Sequence, residues 1–478
     1  MTAASGTVAA VDLGATSGRV MLGHVGPDLL EAEAVARFPN NPVRTRDGLH
    51  WSITTLYGAI TNGLRDAVRR SPGLTSIGID SWAVDYALLR DGRMLGEPYH
   101  YRDDRTGRGV DAVSGMFPHP SLYSRNGLQF LPFNTVYQLA AEDPDILAFA
   151  DTALLIPDLV AYWLTGAVRA ELTNASTTGL LRVDVDRWDD ELIEALHLPR
   201  RIFPELVSPG ERIGELSPGA LAELSTTRSI PVHAVGSHDT ASAVVAVPMQ
   251  ADAAAYISCG TWGLVGVEVE HPVLTDQARE AGFTNEGGVD GRIRLLHNVM
   301  GLWVLTETIR GWERAGKPAD LSTLLAAAAA APADGPVFNV NDPSFLPPGD
   351  MPARIDAWFA ARGIRGPSTS AEYVRCIVES LAQAFADAAL TAGRIGGVPV
   401  RTIHIVGGGA LNELLCQRTA DRSGLPVLAG PVEATALGNI LVQARAVGLI
   451  EGTLEDLRYR VVRTHSPRRY DPQASRIR

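Results

Sequence analysis

An acidic residue followed by a loop of small and hydroxylated residues lies near the start of the chain. Residues 8–22 read Val-Ala-Ala-Val-Asp-Leu-Gly-Ala-Thr-Ser-Gly-Arg-Val-Met-Leu. Small residues let backbone N–H groups approach phosphate oxygens, and the hydroxyls of Thr16 and Ser17 add donors. The carboxylate of Asp12 suits a hydrated Mg²⁺, which takes one or two carboxylates with phosphate oxygens and waters. The pattern predicts a β-hairpin that wraps nucleotide phosphates, although an ordinary tight hairpin would give the same pattern.

A second strand–turn–strand pattern lies about half a chain away. Residues 254–267 read Ala-Ala-Tyr-Ile-Ser-Cys-Gly-Thr-Trp-Gly-Leu-Val-Gly-Val, with a Gly/Thr turn between two apolar runs. Two phosphate-binding hairpins from two related domains are the arrangement of actin-like, ribonuclease H-like ATPases. The pair therefore favours that arrangement over two unrelated hairpins.

A carboxylate at a predicted helix start is the candidate for proton transfer. Residues 235–241 read Val-Gly-Ser-His-Asp-Thr-Ala, between an apolar strand (230–235) and a helix of small residues (241–247). Asp239 could cap that helix, or it could act as the general base that takes a proton from a hydroxyl attacking a γ-phosphate. His238 could bind substrate hydroxyls or lie packed in a turn.

Two further segments could contact a nucleotide or its co-substrate. The strand 402–406 runs into Gly407-Gly408-Gly409 and then a helix (412–423), so the backbone could approach a flat ligand such as adenosine. A flexible strand–helix turn would look the same. Asn298 is predicted near the start of an amphipathic helix, either as its N-cap or as a ligand contact. The chain has no Walker A sequence, which argues against a P-loop enzyme.

Several charged residues stand beside apolar runs. Asp80 and Asp85 flank Trp82-Ala83-Val84, and buried carboxylates need partners, so this sheet edge is a candidate pocket wall. Arg102, Asp103 and Arg105 are interpreted as a solvated charge cluster.

Composition narrows the class of protein. The chain has 478 residues, 46 % hydrophobic and 20 % charged, with a formal net charge of −12. These values indicate a folded protein of two large domains and argue against nonspecific nucleic-acid binding. Three widely spaced cysteines suggest neither a zinc site nor a disulfide framework. The sequence shows no signal peptide and no membrane-spanning run, so we expect a cytoplasmic protein with no membrane partner.

The surrounding elements alternate in type. We predict strands at 8–13, 18–25, 77–80 and 82–89, a turn at Asp91-Gly92, and helices at 53–70 and 372–392. The alanine-rich run 321–332 is predicted to be helical. Residues 99–170 are more irregular and are predicted to be an insertion that shapes a pocket.

The predicted fold class is α/β, with two actin-like (ribonuclease H-like) domains and a cleft between them. The first domain, residues 1–247, is predicted to hold the sugar and phosphate sites and the catalytic base. The second, residues 248–455, is predicted to bind the nucleotide. Residues 456–478, rich in arginine and proline, are predicted to be a peripheral tail.

Across nearly its whole length the chain resembles the FGGY family of carbohydrate kinases. The segments that carry the resemblance are Ala10–Arg19, Gly78–Asp85, Tyr101–Thr106, Gln129–Thr135, Ser237–Ala243, Thr284–Gly288 and Gly430–Ala434. Within the family, Phe130-Leu131-Pro132-Phe133-Asn134 and the His-Asp-Thr triplet are specific to the subgroup that phosphorylates L-rhamnulose.

The resemblance implies a role for each matching residue. The implied ATP-binding residues are Ala15, Thr16, Ser17, Gly18, Arg19, Thr261 and Gly408, with Asp12 near Mg²⁺. The implied sugar-binding residues are Ala83, His238, Asp239, Thr240 and Asn298, with Asp239 as the proton acceptor. Two positions depart from the family. Ala83 stands where glycine is usual, which leaves the choice of sugar open, and Thr306 stands where glutamine is usual, which weakens one expected nucleotide contact.

The expected activity is ATP-dependent phosphorylation of the 1-hydroxyl of L-rhamnulose, with Mg²⁺. A kinase for another ketose, such as L-fuculose or L-xylulose, is the nearest alternative. A non-catalytic actin-like ATPase is a further alternative, but it has no need of the sugar-facing triplet. The sequence does not decide between a monomer and a dimer.

Overall fold

A computed structural model of the chain describes residues 5–317, 320–332 and 335–473. Its strands are β1 Gly6–Leu13, β2 Ser17–Val25, β3 Leu30–Pro39, β4 Pro42–Arg44, β5 Leu49–Trp51, β6 Ile77–Ser81, β7 Tyr86–Arg90, β8 Arg93–Met94, β9 Thr152–Leu155, β10 Ala170–Glu171, β11 Leu181–Arg182, β12 Arg187–Trp188, β13 Leu206–Val207, β14 Arg212–Glu215, β15 Pro231–His233, β16 Ala254–Cys259, β17 Gly263–Val269, β18 Thr284–Gly287, β19 Ile293–Val299, β20 Thr402–Val406, β21 Val427–Ala429 and β22 Arg468–Tyr470.

Helices separate and cover these strands. They are α1 Ile53–Arg70, α2 Thr106–Met116, α3 His119–Asn126, α4 Thr135–Ala140, α5 Pro144–Phe149, α6 Ile156–Thr165, α7 Leu172–Ala175, α8 Asp190–Ala195, α9 Pro218–Glu223, α10 Asp239–Val245, α11 Asp276–Glu280, α12 Trp303–Arg314, α13 Leu321–Ala330, α14 Met351–Ala360, α15 Ser370–Gly396, α16 Glu413–Ser423, α17 Ala434–Ala446 and α18 Leu454–Thr464. None of the helices in these ranges combines the length and apolarity that a membrane crossing requires.

The chain forms two compact units, each assembled from separate stretches of sequence. The described residues of the first unit fall within 1–246, 269–295 and 434–464, and those of the second fall within 247–268, 296–433 and 465–478.

The first unit is built on a mixed sheet with the strand order β14-β15-β6-β1-β2-β3. Strands β1, β6 and β15 are parallel to one another, whereas β1, β2 and β3 form an antiparallel meander. Successive side chains of a strand point to opposite faces of the sheet, and helices cover both faces. Val20 of β2 lies against Gly63 of α1, and Gly23 of the same strand lies against Ile440 of α17.

The second unit has its own sheet, in which β17, β16, β20, β21 and β22 are neighbours in that order. Strands β16, β20 and β21 are parallel, and β17 and β22 are antiparallel additions. The long helix α15 packs against β16 and α16. Its first turn has a capping box, in which Thr369 and Glu372 satisfy each other's backbone N–H groups, and it ends at Gly397 in the left-handed conformation.

Most of the predicted elements are confirmed. The helix predicted at 53–70 and the strand at 402–406 have those bounds, and α15 contains the predicted 372–392. Asp91 and Gly92, with φ of 48° and 74°, form the predicted turn after β7. The strand predicted at 82–89 is shorter, because a tight turn at residues 82–85 delays β7 to Tyr86.

The C-terminal region differs from its predicted place in a continuous second domain with a peripheral tail. Helix α17 belongs to the first unit, where it packs on β1 and β6, and α18 follows it there. Buried amides explain this, because Asn439 donates to Asp80 and Gln443 donates to the carbonyl of Ala9. Residues 468–470 then pair with β21 of the second sheet rather than forming a tail.

The packing of α17 on α10 predicts a sensitive glycine. A Cβ added to Gly438 would lie 1.8 Å from the carbonyl oxygen of Ser242, a backbone atom that cannot move aside alone. We expect Gly438→Ala to destabilise the first unit by about 1–3 kcal/mol, as overpacking does, and to lower the midpoint of thermal unfolding.

Gly58 in α1 provides the matched control. A Cβ there would meet nothing within 4 Å in the described chain, so Gly58→Ala should be neutral or stabilising by up to about 1 kcal/mol. Equal thermal midpoints for the two variants would contradict the predicted close contact.

Candidate active site

Three aspartates meet at the carboxyl ends of the parallel strands of the first unit. Asp12 is the last residue but one of β1, Asp80 lies beside it in register on β6, and Asp239 begins α10, the helix that follows β15. The backbone ties the segments together, since the N–H of Ser81 donates to the carbonyl of Ser237 at 2.9 Å. The carboxyl edge of parallel strands is where open α/β sheets bind ligands, so this edge is the candidate site.

Asp80 is the most deeply buried of the three. Its Oδ2 accepts a hydrogen bond of 2.6 Å from the Asn439 amide, whereas its Oδ1 is buried and finds no hydrogen-bond partner among the described residues. Burial and the neighbouring charges of Asp12 and Asp239 raise the pKa of Asp80 well above its usual range, although the Asn439 bond opposes this. The sequence indicated Asp80 only as a pocket wall, and the structure puts it between the two predicted site carboxylates.

The first hairpin has the predicted form. The N–H of Gly14 donates to the carbonyl of Ser17 across the turn, and Thr16 and Ser17 are exposed at its tip. The Asn40 amide donates to the carbonyl of Gly14 and fixes the turn from β3's end. A side chain at Gly18 is excluded, because a Cβ there would lie 2.2 Å from the ring of Phe38.

Arg19 is paired within the hairpin. Its Nε and Nη2 lie 2.9 and 2.6 Å from Oδ2 of Asp12, the register partner of Arg19. The residue predicted to bind phosphate therefore neutralises the residue predicted to lie near Mg²⁺. An arginine can form two parallel bonds with either a carboxylate or a phosphate, so this guanidinium can exchange one anion for the other.

The donor set fits a divalent cation that binds together with phosphate. Asp12 and Asp80 supply oxygen ligands of the type that Mg²⁺ prefers, and the buried Oδ1 of Asp80 has no hydrogen-bond partner among the described residues. The described residues contain no group of three or more His, Cys, Asp or Glu arranged to hold a metal ion unaided.

Asp239 is the first residue of α10 and does not act as its cap. His238 occupies the N-cap position. The Asp239 side chain is 32 % exposed, and its Oδ1 accepts a 3.1 Å hydrogen bond from the Thr240 hydroxyl and lies 3.4 Å from Nε2 of His238. Of the two interpretations of Asp239, a helix cap or a general base, the arrangement favours the general base.

The loop before Asp239 is anchored by a buried carboxylate that the sequence did not indicate. Oε2 of Glu171 accepts hydrogen bonds from the backbone N–H and the hydroxyl of Ser237, at 3.0 and 2.6 Å. The Thr173 hydroxyl accepts from the N–H of His238 at 3.3 Å. Burial raises the pKa of Glu171, while these donors oppose the shift. The only sequence signal is a glutamate within an apolar, threonine-rich stretch.

Ala83 lies in a strained turn next to this edge. The carbonyl of Ala83 accepts from the N–H of Asp85 at 2.9 Å, and Val84 between them has a φ of 69°. This is the pattern of a strained γ-turn, and a positive φ is rare for a β-branched residue. Backbone strain of this kind concentrates at functional sites, which fits the half-buried Ala83 as a pocket residue.

Asp85 organises the aromatic wall behind the turn. Its Oδ2 accepts from the indole N–H groups of Trp51 and Trp82 at 2.6 and 3.0 Å, and its Oδ1 accepts from the Gln138 amide at 2.9 Å. Burial raises the pKa of Asp85 to about 6 despite these donors. Arg105, predicted to be solvated, is instead largely buried, where it pairs with Glu142 at 3.0 Å and lies over the ring of Tyr99.

The second unit brings its two predicted nucleotide segments together. Thr261 lies in the turn between β16 and β17, and the glycine loop follows β20, which is parallel to β16. Gly407, with a φ of 78°, lies against the carbonyl of Cys259, and a Cβ on Gly409 would lie 2.2 Å from the Cys259 sulfur. Gly408 is exposed, and a Cβ there would meet nothing within 4 Å in the described ranges. Its backbone is therefore open to a flat ligand.

The prediction that Asn298 lies near a helix start is wrong. Asn298 is on strand β19, half-buried, and α12 begins at Trp303 after a turn at Gly301. Gly301, with a φ of 52°, lies in the turn after this strand and packs against the carbonyl of Thr261. Thr306 is exposed on the first turn of α12.

Two residues near His238 were missed by the sequence analysis. Glu286 of β18 and Arg294 of β19 lie 3.2 Å from Nδ1 of His238. Glu286 lies in a segment that carries the family resemblance, but no role was attached to it. The available signal for Arg294 was a charge inside the apolar run Ile-Arg-Leu-Leu, because a buried charge requires partners.

Comparison with known proteins gives matches over nearly the whole chain. Residues 7–246 match the N-terminal domain, and residues 255–447 the C-terminal domain, of the FGGY family of carbohydrate kinases. A rhamnulokinase of Pectobacterium carotovorum is 43 % identical over 475 residues, covering 98 % of this chain and 93 % of the relative. A rhamnulokinase of Bacteroides thetaiotaomicron is 39 % identical over 469 residues, covering 97 % of this chain and 95 % of the relative.

Solved structures match over the same length. Gluconate kinase and ligand-bound xylulose kinase, both from Lactobacillus acidophilus, match with TM-scores of 0.80 and 0.79. Each match covers 98 % of this chain and 94 % of the other, at 16 % and 18 % sequence identity. At such identities the likeness establishes the predicted two-domain α/β fold.

The bonds to Asp85 predict a stability effect. Asp85→Ala would leave two buried indole N–H groups and an amide without an acceptor, at about 1–3 kcal/mol for each unsatisfied group. We expect the unfolding free energy to fall by about 3 kcal/mol or more, visible as a lower midpoint of thermal unfolding at pH 5.

The control for this prediction is Asp111→Ala, at an exposed position of α2.

The raised pKa of Asp85 also predicts a pH dependence. It favours the protonated acid in the folded protein, so the contribution of Asp85 to stability is present below its ordinary pKa of about 4 and is lost as the pH rises through about 6. The difference in unfolding free energy between the wild type and Asp85→Ala should therefore become smaller between pH 5 and 7. An unchanged difference would contradict the raised pKa.

Proposed function

This chain belongs to the FGGY family of carbohydrate kinases, and on that premise we propose that it transfers the γ-phosphoryl group of ATP to the 1-hydroxyl of L-rhamnulose. The observation that carries the proposal is the position of Asp239 at the same sheet edge as Asp12 and Asp80. The rhamnulokinases described above, at 39–43 % identity over nearly the whole chain, support the choice of sugar.

Asp239 is the proposed general base. Both of its contacts, with the Thr240 hydroxyl and with Nε2 of His238, are made by Oδ1. We therefore assign to Oδ2 the proton of the sugar hydroxyl as that hydroxyl attacks the γ-phosphorus. Anchoring by Glu171 restricts the motion of the loop, so the base is placed before the substrate arrives.

The sugar is proposed to lie against Ala83, His238 and Thr240, with Asn298 as a further contact. Since Ala83 is held in the strained turn by its bond to Asp85, its methyl group is a fixed feature of the pocket. A fixed group discriminates among ketoses by exclusion, whereas a mobile one would move aside.

The first hairpin and Arg19 are proposed to hold the ATP phosphates, together with Ala15, Thr16, Ser17 and Gly18. Thr261 and Gly408 are proposed to contact the nucleotide. Asp12 and Asp80 would hold Mg²⁺, which when bound neutralises charge on the phosphate oxygens. Release of Arg19 from Asp12 would then give the guanidinium a phosphate partner in place of the carboxylate.

The base assignment predicts the effect of an isosteric change. Asp239→Asn keeps an oxygen that can accept from Thr240 but cannot take a proton, so we expect kcat to fall by about 10²–10⁴-fold. ATP binding, measured by calorimetry, should stay within about twofold. Asp66→Ala, on the exposed face of α1, is the matched control and should keep wild-type turnover. A kcat for Asp239→Asn close to that control would rule out the base.

The choice of sugar is tested separately. ADP release should be measured with L-rhamnulose, L-fuculose and L-xylulose, and we expect the highest kcat/KM with L-rhamnulose. An equal or higher kcat/KM with another ketose would mean that this ketose is the substrate, and the protein would still be a sugar kinase. ATP turnover that no sugar stimulates would instead support the non-catalytic actin-like alternative.

A further inference from the structure

Arg294 is an arginine buried completely inside the first unit. Its side chain is 0 % exposed, although it carries a permanent charge. Its Nε donates to the carbonyl of Gly287 at 2.9 Å, its Nη1 lies 3.1 Å from Oε2 of Glu286, and its Nη2 lies 3.2 Å from Nδ1 of His238. A buried charge is costly unless it is paired, so the partners of Arg294 have to account for its position beside His238.

Glu286 provides the countercharge and reaches the same nitrogen. Its side chain is 7 % exposed, and its Oε2 lies 3.2 Å from Nδ1 of His238. The pKa of Glu286 lies below its usual value: burial by itself would raise it, and the charge of Arg294 is the largest cause in the other direction. Glu286 is therefore a carboxylate, and with Arg294 it forms a buried pair of zero net charge.

The two partners make opposite demands on Nδ1. A guanidinium can only donate hydrogen bonds, so Arg294 requires a lone pair on Nδ1, whereas an ionised carboxylate can only accept and would require an N–H. The opposite ring nitrogen, Nε2, lies 3.4 Å from Oδ1 of Asp239. A lone pair on Nε2 would repel that carboxylate, whereas an N–H would attract it. Arg294 and Asp239 therefore favour the same neutral tautomer, with the proton on Nε2.

We propose that Arg294 and Glu286 are positioning residues that fix His238 in the Nε2–H tautomer, Arg294 by donating to Nδ1 and Glu286 by neutralising Arg294. In this state His238 donates to Oδ1 of Asp239 and leaves Oδ2 to accept the sugar proton; this consequence rests on the proposed function. Loss of Arg294 alone would leave Glu286 as the sole charged partner of Nδ1. The proton would then move to Nδ1, and a lone pair on Nε2 would face Asp239.

The tautomer can be read directly in the free protein. Long-range ¹H–¹⁵N correlation spectra of protein labelled with ¹⁵N-histidine distinguish a protonated ring nitrogen from one with a lone pair. The His238 signals are assigned by their loss in His238→Gln. At about pH 8.5, two units above the ordinary histidine pKa of about 6.5, we expect wild-type His238 to carry its proton on Nε2. A proton on Nδ1, or on both nitrogens, would overturn the proposal.

Variants of Arg294 test the assignment. Arg294→Met should move the proton to Nδ1, and Arg294→Lys, which retains a donor that cannot accept, should keep it on Nε2. Arg294→Met leaves a buried unpaired carboxylate, so if that variant does not fold, the wild-type tautomer and Arg294→Lys carry the test. The proposal is overturned when folded Arg294→Met keeps its proton on Nε2 or when Arg294→Lys moves the proton to Nδ1.

Kinetics give the second measurement. We expect Arg294→Met to lower kcat about 10–100-fold, the range seen when a partner that orients a metal-bound histidine is lost, with KM for ATP unchanged. Arg294→Lys should recover most of this loss. Arg292→Met is the control, since Arg292 lies two residues away, is partly exposed and pairs with Glu455 rather than His238. A tautomer shift in a protein that no ketose stimulates would support the positioning role and reject the proposed function.

Discussion

Repulsion among three carboxylates at one sheet edge is the constraint on which the site of this protein depends. Asp12 and Asp80 are register partners on adjacent parallel strands, about 4.8 Å apart at the backbone. Burial, the charge of Asp12 and the charge of Asp239 all raise the pKa of Asp80. Like charges this close are stable only with compensation. Arg19 compensates Asp12 and the Asn439 amide partly compensates Asp80, so the edge is arranged to receive positive charge.

The same constraint explains the discontinuous first unit. Asn439 and Gln443 belong to α17, far along the chain, yet they bond to Asp80 and to the backbone of β1. A helix that supplies the buried partner of a site carboxylate has to pack with the sheet that carries the carboxylate. The close contact of Gly438 with Ser242 then holds α17 against α10, the helix that begins with Asp239.

Around Asp239, each supporting group is held by another buried group. Glu171 holds the backbone of Ser237, Thr173 holds that of His238, and Arg294 with Glu286 holds the ring of His238 from behind. Polar groups buried in this way are stable only when their partners are in place. The loop is therefore rigid before any substrate is bound, which is what a phosphoryl transfer that depends on positioning requires.

The sequence by itself determined the local elements: the first hairpin with Asp12, the helix at 53–70, the strand at 402–406 and the carboxylate at the start of α10. These follow from the apolar period, the turn residues and the capping preferences of neighbours along the chain. Only the tertiary structure decided that Asp80 lies between Asp12 and Asp239, that Asn298 is on a strand, and that Arg294 reaches His238 across 56 residues. Such contacts depend on strand order and on which buried charges find partners, and a linear pattern does not contain that information.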